Sequence, residues 1–188
     1  MSMSMESKFK PMLYATSMCE AILADLKNTT RRLLKNQPPK DSNVLVTVHT
    51  YTDGAIQALF FKEQSNDFSQ SISTWCPYGR LDDIIWVRET IIKDGAGKWV
   101  YKAVNKYGIQ EPVHYLNNNN FDNGKRHIPN IHMVKQCARI FLKIKSVKVE
   151  MLQDIDDLQS IAEGIPSDSL NPKVQFKKLW QSIHSADS

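Results

Sequence analysis

Apolar residues in this chain come in short runs, each closed off by turn-forming residues, and that punctuation most narrows the fold. "VLVTVH" and "IQALFF" flank "TYTDGA", which carries Asp53-Gly54. An Asp-Gly pair between two β-rich runs predicts a hairpin. "DDIIWVRE" is another such run, an apolar strand that ends in the charged pair Arg88-Glu89. Late in the chain Ile140, Leu142 and Ile144 alternate with Phe141, Lys143 and Lys145, and the apolar phase then moves to Val147 and Val149. A bulge near Ser146 would restore the register, as where a strand bends around a barrel.

Helical signals are few and short. Ser17 and Glu20 have the spacing of a capping box ahead of Met18, Ala21 and Ile22, so a helix is expected from about Ser17. A turn near Asp25 and then a strand should follow. "DIDDLQSIAEGIP" predicts a second helix with Asp154 as N-cap and Gly164 and Pro166 as its stop. Several strands, two or three short helices and no regular βαβ alternation give an α+β fold with a curved, largely antiparallel sheet.

The chain has 188 residues, 41% of them hydrophobic, which fits one domain over 11–188 behind a loose tail of residues 1–10. "NQPPKDSN" (Asn36 to Asn43) is a breaker cluster. The polar stretches 62–74 and 115–127 read as exposed loop insertions. A net charge of +4 permits an anionic partner but lacks the lysine runs of a tail that binds nucleic acid by bulk charge. Cys19, Cys76 and Cys137 show no CxxC spacing and the five histidines no HxxxH or HxH spacing, so neither a metal site nor a cofactor is expected. With no apolar run of the roughly 18–20 residues that span a bilayer, and no apolar core in "MSMSMESKFK", the expectation is a soluble, cytoplasmic protein without membrane contact.

Parity puts Glu89 on the face of Ile85 and Val87, and Arg88 on the face of Trp86. If Ile85 and Val87 face a core, Glu89 points inward, and a carboxylate there has to be paired, hydrogen-bonded or protonated. It is either half of a structural ion pair or an acid/base group in a pocket. The other chemical cluster is "LKNTTRR", in which Lys27, Arg31 and Arg32 surround the hydroxyls of Thr29 and Thr30. Lysine beside a hydroxyl suits phosphate binding or activation of a nucleophilic threonine; a solvated basic strip is the bland reading. His132, among apolar neighbours, reads as a hydrogen-bonded structural histidine.

Three segments together resemble the ASCH-domain family of the PUA-like superfamily, especially its phage and prophage members. "DLKNTTRR" places Lys27, Thr30 and Arg32 on a signature that begins with glycine, where this chain has Asp25. "CPYGRLDDIIWVRE" lines up from Cys76 to Glu89 with a "CPYG", Pro-Gly-Asp, "LWVRE" pattern, Leu81-Asp82 replacing Pro-Gly. "IHMVKQCARIFLKIKSVKVEMLQDI", "IAEGI" and "FKKLWQSIH" are similar to the third signature, with Gln136 in place of its usual tryptophan. The resemblance covers about half of the chain. It implies a small PUA-like β-barrel with flanking helices and a cleft that receives RNA, a nucleotide or a modified base. One branch of the family removes acyl groups from the exocyclic amine of cytidine. That implies Lys27 assisting deprotonation of Thr30, Thr30 attacking the amide carbonyl, and Glu89 handling the leaving-amine proton. In a purely binding module, Lys27, Arg31, Arg32, Lys125 and Arg126 would meet phosphates, Tyr78 or Trp86 would meet bases, and Arg88 is a further ligand-binding candidate. The resemblance is also compatible with ribonuclease activity, and with a phage accessory role in which the partner is a host protein.

Overall fold

The computed structural model describes residues 9–35, 37, 44–62, 72–119 and 124–184. The breaker cluster Asn36 to Asn43 therefore lies almost wholly outside the described residues, as do 1–8, 63–71 and 120–123. The chain divides into two compact units: residues 1–12, 32–86 and 141–150 form unit 1, and 13–31, 87–140 and 151–188 form unit 2.

The architecture is α+β with mostly antiparallel sheets and few short helices, as expected. Among the described residues the strands form three separate sheets, and no closed barrel is found. In one sheet β1 (Phe9–Leu13), β5 (Ile84–Arg88) and β10 (Phe141–Lys143) lie in the order β1-β5-β10. Phe9 and Lys10, expected in a tail, belong to β1.

A second sheet of unit 1 contains the predicted hairpin. β2 (Val44–Thr50) and β3 (Ile56–Lys62) pair antiparallel from Thr50↔Ile56 outward. Gly54 adopts φ +74°, and the Asp53 carboxylate accepts the Ala55 N–H, which fixes the turn. β4 (Ile72–Trp75), in a stretch expected to be loop, adds to the far side of β3.

The turn before β5 depends on backbone freedom. Gly79 has φ +147°, a conformation that L side chains rarely adopt, and a Cβ there would also lie 3.2 Å from the Asp83 carboxylate, so any other residue would be strained. Asp83 is buried and its carboxylate accepts the Arg80 N–H at 2.9 Å. The apolar phase change late in the chain has a counterpart in burial, since Lys145 and Ser146 are both exposed before Val147 and Val149 turn inward. There is no bulge, because β10 ends at Lys143 and 144–150 form no strand.

In unit 2, β6 (Ile91–Lys93), β7 (Trp99–Val104), β8 (Gln110–Pro112) and β9 (His127–Ile128) form a four-stranded sheet in the order β8-β7-β6-β9. Ile91, Trp99, Tyr101, Val113, Leu116, Met133 and Cys137 make its core. Leu116 is carried by α2 (His114–Asn118), so the stretch 115–127, expected to be loop, begins within a helix and ends on the first residue of β9. His132, expected to be structural, is exposed at the end of a 3-10 turn. A smaller core joins Ile155, Ile165 and Phe176, the last from α4 (Pro172–His184).

Two predicted caps move. α1 spans Thr16–Leu23 with Ala15 as N-cap. Glu20, expected to close a capping box with Ser17, instead accepts the Val104 N–H of β7 at 3.2 Å. α3 spans Asp157–Ala162, and its capping box is Asp156 with Gln159, not Asp154. Asp154 ends a separate 3-10 turn, Leu152–Asp154. Among the described residues, no helix is long and apolar enough to cross a membrane.

Candidate functional site

The segment that holds the basic cluster is built by the end of α1. Asp25 takes φ +58°, a left-handed conformation that aspartate tolerates better than most residues. The reversal lets the N–H groups of Leu26 and Lys27 donate back to the Ala21 carbonyl. The chain then docks on the end of α3 and does not form the strand expected there: Asn28 and Thr29 donate to the Ala162 carbonyl, and Lys27 makes an isolated bridge with Glu163. Gly164, φ +98°, keeps the approach open, since a Cβ there would lie 3.1 Å from that of Ala21 and 3.3 Å from that of Lys27.

Docking carries Lys27 inside, where the residue is 5% exposed. Its ammonium donates to the Thr29 carbonyl at 2.6 Å, the Glu163 carbonyl at 2.9 Å and the Glu163 carboxylate at 2.6 Å. Three acceptors match the three N–H donors of an ammonium group. Arg31 binds the second oxygen of the same carboxylate at 3.1 Å and lies 6.0 Å from the centre of the Phe176 ring. Thr30 is half-buried and shares a 2.9 Å hydrogen bond with the hydroxyl of Tyr14.

Glu89 is 1% exposed, on the buried face that also carries Ile85 and Val87. Trp86 is buried as well, so β5 is covered on both faces and the Trp86 ring is not displayed for stacking. Arg139 binds both Glu89 oxygens, at 3.0 and 2.8 Å, in the two-pronged geometry that suits a carboxylate. The same guanidinium reaches Glu111 at 3.0 Å and the Ala103 carbonyl at 3.0 Å, and it lies 4.0 Å from the centre of the Tyr101 ring. Burial works against the Arg139 charge, but hydrogen bonding and attraction from Glu89, then from Glu111, outweigh it and raise the pKa of the guanidinium above its ordinary value. Hydrogen bonds from Asn105 and then Arg139 hold the Glu111 carboxyl below its ordinary value.

No protein-family profile, curated protein or solved structure matches this chain.

Lys27, Thr30 and Glu89 thus all belong to unit 2, and the hydrogen bonds described take each to a different partner: Glu163, Tyr14 and Arg139. Arg88 donates to the Met133 and Ile131 carbonyls at 3.1 and 2.6 Å. Arg32 and Tyr78 are exposed and belong to unit 1. Lys125 and Arg126 are exposed beside β9. The residues missed from sequence are Glu163 and Arg139, the counter-charges. They lie in the segments "IAEGI" and "CARI" that carry the resemblance, and a search of "CARI" for a cation to partner Glu89, the charge that parity turned inward, would have found Arg139.

Burial, with the network as a second cause, sets the reactivity of the groups around it. Burial, reinforced by the Glu89 carboxylate, pushes the Cys19 thiol up to about 12 and the Tyr101 phenol up to about 12, and burial alone pushes Cys137 up to about 11. Cys76 is half-buried. At pH 8 an aromatic disulfide reagent should therefore titrate at most the Cys76 thiol in the folded protein and all three thiols in denaturant. Because folding raises these acids, their contribution to stability is full below their unfolded values, near 9 for a thiol and 10 for a phenol. It is lost as pH climbs toward the folded values. The urea midpoint should fall between about pH 9 and 11, and less steeply in Cys19→Ala. A flat profile in the wild type would contradict the assignment.

Proposed function

We propose that the chain is a PUA-like module of the ASCH type that recognises RNA, a nucleotide or a modified nucleobase, with the segment Lys27 to Arg31 at the recognition site. One observation carries the family reading. Among the described residues, Asp25 and Asp82 are the non-glycine residues with positive φ, at +58° and +67°. They are also the two aspartates that stand where the signatures have glycine. A backbone that needs left-handed geometry at both positions accounts for glycine there and for aspartate as its substitute.

The surroundings of Lys27 favour binding over hydrolysis. A lysine that takes a proton from Thr30 needs a free lone pair, whereas here the ammonium has three acceptors, one a carboxylate. Glu89, the group assigned to the leaving amine, is held by Arg139 through both oxygens. In this reading the Glu163 carboxylate, held by both Lys27 and Arg31, fixes the segment, and the half-buried Thr30 and Arg31 beside exposed Asn28 and Thr29 offer polar groups to a ligand.

A fluorescein-labelled single-stranded RNA should bind with an affinity that falls as salt rises. Arg31→Ala should weaken binding and reduce the salt slope by about one. Incubation with N4-acetylcytidine tests for catalysis: release of cytidine that is lost in Thr30→Ala would replace the binding reading with hydrolysis. Absence of both binding and turnover would overturn the proposal.

A further inference from the structure

Unit 1 contains a cleft of about 400 Å³ that none of Lys27, Thr30 and Glu89 lines. Its wall includes Lys10 from β1, Asp53 from the hairpin turn, Trp75 from β4, and Cys76, Gly79 and Arg80 from the turn that follows. All of these belong to the same unit. The volume lies in the range of small-ligand sites.

The lining combines an aromatic platform with cationic groups. Trp75 is 53% exposed although it is the largest side chain of β4, and Tyr51, 46% exposed, lies against it with ring centres 5.4 Å apart. The platform is fixed from behind, because Tyr51 donates its hydroxyl to Gln57 at 2.7 Å and Gln57 is the strand partner of Trp75. Arg80 is held by the Asp53 carboxylate at 2.8 Å, which matches the one negative charge of the lining. Among the described residues, the Lys10 ammonium and the Trp75 indole N–H have no hydrogen-bond or ion-pair partner. The cleft thus presents an exposed ring face, an unmatched ammonium and a fixed guanidinium.

A ligand that satisfies these groups is planar and aromatic at one end and anionic at the other. We infer that this cleft binds a nucleotide, with its base on the ring of Trp75 and its phosphate on Lys10 and Arg80. The ligand is a free nucleotide or one residue of a single strand, and the chemistry is the same for both. The inference is independent of Lys27 to Arg31, which lie in unit 2.

Isothermal titration with AMP and with a single-stranded octa-adenylate tests it. Trp75→Ala should weaken binding roughly tenfold, the range of one stacked base, and Lys10→Gln should weaken it and lower the salt slope by about one. Both replaced side chains lie at the surface or its margin, and circular dichroism should show both variants folded. Tighter binding of the octamer than of AMP, with the same Trp75 dependence, assigns the site to a strand; equal binding assigns it to the free nucleotide. Affinity unchanged in Trp75→Ala, or no binding of either probe at millimolar concentration, would overturn the inference. Loss in Arg31→Ala with none in Trp75→Ala would overturn it while leaving the Lys27 reading intact.

Discussion

Arg139→Leu should destabilise the protein by about 3–5 kcal/mol, the cost of removing one partner of a buried pair. The reason lies in what stays behind. Glu89 is 1% exposed and its two oxygens accept their hydrogen bonds from this one guanidinium. Without it the carboxylate must be desolvated alone or take up a proton. The Ala103 carbonyl and Glu111 lose a donor as well. Replacing both partners, as Arg139→Leu with Glu89→Leu, should recover most of the loss, because well-packed apolar residues often substitute for a buried ion pair at little net cost. Urea unfolding of the four proteins of the cycle gives the coupling. A single-variant loss below about 1 kcal/mol, the level of an exposed pair, would show that Glu89 is solvated after all.

The second large effect belongs to Glu163. Its carboxylate holds Lys27 with one oxygen and Arg31 with the other, so Glu163→Ala leaves a buried ammonium with carbonyl acceptors only. A loss of about 3 kcal/mol is expected, and a smaller one for Glu163→Gln, which keeps an acceptor for Lys27. A local readout separates this from general weakening. The amides of Asn28 and Thr29 donate to Ala162, so their hydrogen exchange should accelerate in Glu163→Ala more than that of β7. Uniform acceleration across unit 2 would mean that the pair supports the whole unit and does not specifically dock this segment.

Punctuation made the β2–β3 hairpin legible, because Asp53-Gly54 between two β-rich runs has few other uses. The inward face of Glu89 was legible from parity for the same local reason. The caps were harder. Ser17 and Glu20 have capping-box spacing, but Glu20 finds the Val104 N–H, a partner 84 residues away that no local pattern encodes. Asp154 and Asp156 are both plausible N-caps, and Gln159 decides for Asp156 by supplying the reciprocal bond. The counter-charges Arg139 and Glu163 lie 50 and 136 residues from the groups they satisfy. Burial demands such partners without saying where in the chain they are. The strand expected after Asp25 is absent, and the backbone donors at Asn28 and Thr29 go instead to the Ala162 carbonyl at the end of α3.

The division of the chain into two units bears on how it can be made and cut. Each unit takes three separate stretches, so the polypeptide passes from one to the other at 12–13, 31–32, 86–87, 140–141 and 150–151. No single truncation yields either unit entire. During synthesis the β2–β3 and β6–β7 hairpins have all their residues early, whereas the β1-β5-β10 sheet waits for residue 143 to complete an order that begins at residue 9. Such distant closures slow folding relative to local contacts. Until β10 arrives, β5 has one flank unpaired, and an apolar strand with an open edge is where a nascent chain is most exposed to aggregation.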